Sequence, residues 1–74
     1  MLRSRVESST IATVGYDEEH QVLEIVFTDG RVYHFLEVPP ERVLSLLRAE
    51  SKGRFFNAEI KPAFGHRAVG RRWG

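Results

Sequence analysis

Asp29-Gly30 stands between two runs of alternating side chains, Val22 to Thr28 and Arg31 to Val38. An Asp-Gly pair flanked in this way is a strong local signal for a β-hairpin, because both residues tolerate the positive φ of a tight reversal. In the first run Leu23, Ile25 and Phe27 alternate with Val22, Glu24 and Val26, the period of two that a strand requires. In the second, Tyr33 and Phe35 share one side and Val32, His34 and Leu36 the other. Two registers follow from the turn chemistry. A two-residue turn sets Leu23, Ile25 and Phe27 opposite Leu36, His34 and Val32. A three-residue turn with Gly30 left-handed, a G1 bulge, sets them opposite Phe35, Tyr33 and Arg31. The bulged register gathers Leu23, Ile25, Tyr33 and Phe35 on one face and pairs Glu24 with His34 on the other. The tighter turn would bury His34 and demand a polar partner for it. The bulge is the expected register.

Upstream, Thr10 to Tyr16 is β-branched and aromatic and reads as a further strand, interrupted by Asp17-Glu18-Glu19-His20. Downstream, Pro39-Pro40 ends the sheet and can open a helix, since proline in the first helical turn loses no intrahelical bond. Glu41 suits the positive end of that helix. Val43, Leu44 and Leu47 fall at helical spacing with Leu46 beside them, and Gly53 is a natural C-cap, so one amphipathic helix runs from about Glu41 to Lys52. Arg54 to Ile60 adds one or two helical turns with Phe56 and Ile60 four apart, and Pro62 ends it. His66 to Gly74 has no sustained period and reads as a flexible basic tail. The expected fold is α+β, a three-stranded antiparallel β-meander followed by one amphipathic helix and a short helical turn. An N-terminal arm covers residues 1–8, a single domain 9–64, and the tail 65–74.

At 74 residues the chain has room for one domain with a modest core. Cys is absent, which excludes disulfides and thiolate metal sites. His20, His34 and His66 lie on a turn, a strand and the tail, without metal-ligand spacing, so neither a metal nor a cofactor is expected. No apolar run approaches the length of a membrane span, and the basic start leads into Ser8-Ser9-Thr10 with no signal-peptide core. A cytoplasmic location is the expectation. Ser8, Ser9 and Thr10 have no base or oxyanion hole placed by motif, so the chain reads as a non-enzyme.

Charge is unevenly spread. From Val6 to Ser51 nine acids oppose three bases, a net −6, whereas from Lys52 to Gly74 six bases oppose the single acid Glu59, a net +5. Such asymmetry points to a polyanion-facing segment, and equally to an acidic body with a basic counterpart. Two short motifs fail on inspection. Lys52-Gly53-Arg54-Phe55-Phe56 has Arg54 where an RNP1 signature needs an aromatic, and Gly65 to Gly70 precedes Arg71-Arg72 instead of the Lys-Ser or Lys-Thr of a phosphate loop.

Ser9-x-Ile11-x-x-Val14-Gly15-Tyr16-Asp17, Phe27, Gly30, Val32-Tyr33-His34-Phe35 and Val38-Pro39 follow an ordered pattern. It continues with Leu47, Ala49, Ser51-Lys52-Gly53, Phe56-Asn57 and Ile60. The combination resembles the KTSC domain family, which occurs at the C-terminus of some lysyl-tRNA synthetases and as stand-alone small bacterial proteins. The resemblance implies a central Tyr-x-Tyr motif, here Tyr33-His34-Phe35, so the second aromatic lacks its hydroxyl. It also implies a suggested role in RNA binding, drawn from the synthetase association.

The leading expectation is therefore a non-catalytic RNA-binding domain of tRNA type. Its candidate residues are Lys52, Arg54, Phe55, Lys61, Arg67, Arg71 and Arg72, contacting phosphate for the most part. Lys52 and Arg54 beside Phe55 could hold a phosphate and a base, or simply complete a helix C-terminus where cations are favoured. Tyr33 and Phe35 either stack on bases or fill the core against Leu23 and Ile25. The alternative is a protein-interaction or homodimerisation module, using the sheet face that carries Val22, Val26, Val32 and Leu36.

Overall fold

The computed structural model describes the backbone of residues 2–5 and all of residues 10–71. Among these, five strands form one antiparallel sheet in chain order: β1 (Leu2–Arg5), β2 (Ile11–Asp17), β3 (Val22–Phe27), β4 (Arg31–Phe35) and β5 (His66–Arg71). Between β4 and β5 run α1 (Pro40–Arg48), the single turn α2 (Lys52–Phe55) and a π-helical turn (Phe56–Ile60). The class is α+β, as expected, with two strands more than the sequence indicated.

The central hairpin has the bulged register. Leu23 faces Phe35, Glu24 faces His34 and Ile25 faces Tyr33. Gly30 takes φ +91° and donates its N–H to the Phe27 carbonyl at 2.9 Å. A side chain there would be strained, which is why glycine occupies it. The Glu24 carboxylate meets the His34 ring at 3.0 Å, so the polar pair on the outer face satisfies itself.

The other face of the sheet builds the core. Ile11, Val14, Tyr16, Leu23, Ile25 and Phe35 from the strands pack with Val38, Val43, Leu46, Phe56 and Ile60. Tyr16 donates its hydroxyl to the Val38 carbonyl, tying β2 to the segment that leads into α1. Burial raises the Tyr16 pKa above its ordinary value of 10.0, helped by Glu18, Glu41 and Asp17. A phenol whose folded pKa exceeds its unfolded one adds stability that is complete below about pH 10 and lost as pH rises through the folded value. Tyr16→Phe should thus cost about 1–2 kcal/mol at neutral pH. Denaturant midpoints measured from neutral to alkaline pH should fall less steeply above pH 10 for Tyr16→Phe than for wild type.

The N-terminal arm carries β1, which pairs with β2 from Leu2 opposite Tyr16 to Arg5 opposite Thr13. Residues 66–71 of the expected basic tail form a strand: β5 pairs with β4, with Phe35 opposite His66 and Tyr33 opposite Ala68, while residues 72–74 lie outside the described residues. The ladder is prolonged by the Leu36 N–H donating to the Gly65 carbonyl at 2.8 Å. A register shift between Val32 and Tyr33 breaks the alternation of β5, and all six of its residues are exposed. Its arginines and irregularity discourage another chain from adding to this edge.

The helix is also shorter than expected. It opens at Pro40 with Glu41 in the first turn but stops at Arg48, where Ala49 turns extended. Gly53 is no C-cap. The Ser51 hydroxyl instead accepts from the Arg54 N–H at 3.3 Å and starts a new turn around Gly53. Of the α1 apolar residues, Val43 and Leu46 are buried, Leu47 is half-buried and Leu44 lies 49% exposed. No helix among the described residues is long and apolar enough to cross a membrane.

Candidate functional site

The strand face that builds the core does not end at the core. Phe27, Tyr33 and Phe35 project from β3 and β4 on the side where the π turn lies, and Phe56 meets them. Phe27 lies edge-on to Tyr33 (5.6 Å between ring centroids, 87°) and to Phe56 (5.5 Å, 71°). Phe35 meets Phe56 likewise at 5.1 Å and 85°. Steep edge-to-face contacts are the favoured arrangement of aromatic quadrupoles. They enclose a cleft of about 210 Å³.

Pairing of β5 supplies the outer wall. His66, opposite Phe35, stacks over Tyr33 at 5.6 Å and 22° and lies tilted against Phe35 at 4.9 Å and 33°. The π turn supplies the rim. Its closing bond, Lys61 N–H to the Phe56 carbonyl at 2.9 Å, spans one residue more than an α-helical bond, and Phe56, Asn57 and Lys61 all line the cleft. Arg31 completes the rim from β4, its guanidinium 5.8 Å from the Phe27 ring centre. Asp29 holds that guanidinium at 2.7 Å and accepts the Arg31 N–H at 3.0 Å. That backbone bond is the main reason the Asp29 carboxyl is kept below its ordinary pKa.

The candidate residues named from sequence divide among several places. Tyr33, half-buried, and Phe35, 1% exposed, both line the cleft, so core packing and cleft wall are the same role here. Lys61 stands at its rim. Lys52 does not: its ammonium donates to the Ala49 carbonyl at 3.1 Å, the part of an ordinary helix-end cation. Arg54 and Phe55 line a different depression, beside Glu50 and Glu59. Arg71 faces a third with Glu24, Val32, His34 and Val69, and also donates to the Asp29 carbonyl at 3.2 Å. Arg67 is exposed on β5 opposite His34, and Arg72 lies outside the described residues.

Val22, Val26, Val32 and Leu36 do not form an open apolar patch. Val26 is 1% and Val32 5% exposed, Val22 is half-buried, and only Leu36, at 38%, reaches solvent substantially. No group of three or more His, Cys, Asp or Glu among the described residues is arranged to hold a metal.

Arg31, Asn57 and His66 were missed as site residues. Phe27, Tyr33 and Phe35 share one strand face in the bulged register, which was a usable signal for the aromatic wall. His66 had none, because its place depends on a pairing that spans the whole helical segment.

Comparison with known proteins gives a consistent picture. The KTSC domain model matches residues 7–64. An uncharacterised protein of Stutzerimonas stutzeri is 47% identical over 62 residues, covering 84% of this chain and 87% of that protein. A lysine–tRNA ligase of Nostoc punctiforme is 41% identical over 58 residues, 78% of this chain but only 10% of the ligase. The crystal structure of a KTSC domain protein from Yersinia pestis superposes with a TM-score of 0.89 at 40% identity, covering 93% of this chain and 97% of that one. The family match runs from the approach to β2 through the π turn, and the chain belongs to the KTSC domain family.

Proposed function

We propose that this KTSC domain is a non-catalytic RNA-binding module, held to RNA chiefly through phosphate contacts made by its C-terminal third. The observation that carries this reading is the display of cations there: Arg54, Lys61, Arg67 and Arg71 are all exposed. The single acid of that segment, Glu59, is engaged by Arg42 at 3.4 Å. The occurrence of a homologous segment within a lysine–tRNA ligase supports RNA of tRNA type as the partner. The competing reading, a dimerisation module, loses its motivation with the burial of Val26 and Val32.

Contacts of this kind release counterions, so affinity should fall linearly with the logarithm of salt concentration. The slope is about 0.7 per phosphate contact on single strands. Lys61→Ala should weaken binding to unrelated RNA sequences to a similar degree and flatten the salt slope by about that amount. Anisotropy titrations of wild type and variant over a salt series check this. A variant with unchanged slope and affinity would remove Lys61 from the interface.

A further inference from the structure

We infer that the aromatic cleft bounded by Tyr33, Phe56 and His66 is a pocket for one unstacked nucleobase of a single-stranded RNA. The inference rests on the RNA-binding reading and adds to it a site for the base. Its walls are aromatic in more than one plane, and single-stranded RNA is held by stacking bases on such side chains. Its rim carries a different chemistry: the Lys61 ammonium, the Arg31 guanidinium and the Asn57 carboxamide. A ligand that suits both is flat, has a hydrogen-bonding edge and carries an anionic group. A nucleotide has all three.

Size decides between a free nucleotide and a strand. Pockets that enclose a whole drug-sized ligand run to about 300–1,000 Å³. This cleft, at about 210 Å³, holds a fragment only. One base enters, and the rest of the strand lies outside the cleft. Arg31 contributes less charge than Lys61, because Asp29 already neutralises it at 2.7 Å. Lys61 thus takes the phosphate of the inserted nucleotide, and Asn57, exposed beside it, faces the base edge.

His66 gives the sharpest test, since it is an exposed residue whose ring stacks on Tyr33 and lies tilted against Phe35. Because Phe35 is buried, the folding of each His66 variant is checked by circular dichroism alongside binding. The probes are a short single-stranded RNA of mixed sequence and a strand of equal length in which every nucleotide is abasic. Wild type should bind the first about 5- to 150-fold more tightly, the range that base–aromatic stacking provides. His66→Ala should lower affinity for the base-bearing strand and leave the abasic strand unaffected, whereas His66→Phe, which keeps a ring, should restore it. Free nucleoside monophosphates should compete only weakly. Equal affinity for the two strands, or equal losses on both in His66→Ala, would overturn the pocket while the phosphate-led reading stands. Free nucleotides binding as tightly as the strand would overturn it in favour of a nucleotide site. Absence of binding to either strand would overturn the RNA-binding reading itself, and the pocket with it.

Discussion

Phe56→Ala should destabilise the domain by about 3–5 kcal/mol, the cost of truncating a buried aromatic where the surroundings collapse only partly. Phe56 is 3% exposed and meets Phe27 and Phe35 edge-on, so one truncation removes two ring contacts together with the packed volume. It is also the first residue of the π turn, whose backbone carries Lys61 to the cleft. In a domain of 74 residues such a loss is a large share of the total stability, and partial unfolding at 37 °C is expected. Urea unfolding followed by circular dichroism measures it. A loss below about 0.5 kcal/mol would mean that the ring is not packed as described.

Leu46→Ala should be nearly as severe, about 2–5 kcal/mol, and Leu44→Ala should lie within about 0.5 kcal/mol of wild type. Both are leucines in α1, but Leu46 is fully buried and Leu44 is 49% exposed. Thermal melts of the two variants check it, and similar losses at both positions would show α1 rotated on the sheet.

That contrast also marks where the sequence was legible. Spacing alone placed Val43, Leu44 and Leu47 on one helical face, whereas Val43 and Leu46 are the buried positions. A helix of nine residues has few turns over which to resolve its phase, and packing against the sheet decides it. The hairpin was legible because its determinants are local. Asp29-Gly30 sets the turn, and the cost of burying His34 selects between the two registers. Glu24 opposite His34 then follows.

Non-local pairing was not legible. β5 joins residues 31–35 to residues 66–71 across the entire helical segment, and a register shift between Val32 and Tyr33 erases the alternation that would have announced a strand. β1 is next to β2 in the chain, but its Leu2-Arg3-Ser4-Arg5 has a single apolar residue and no alternation to announce a strand. The candidate site inherits this division. Tyr33, Phe35 and Lys61 were recognisable from type and position, but the cleft is completed by His66, which only β5 brings into place. At the end of α1 the serine at position 51 was a usable cap signal, and Gly53 distracted from it.

The charge on the C-terminal third is the centre of the functional account, and wild-type protein tests it most directly. Unmodified tRNA and a single-stranded RNA are titrated near 50 mM and near 200 mM salt. A domain that holds several phosphates should bind both at the lower concentration and lose affinity at the higher by a factor that grows with the number of contacts. Saturable binding with that salt dependence is the predicted result. No detectable binding of either RNA near 50 mM salt would contradict the account, because phosphate attraction is strongest there.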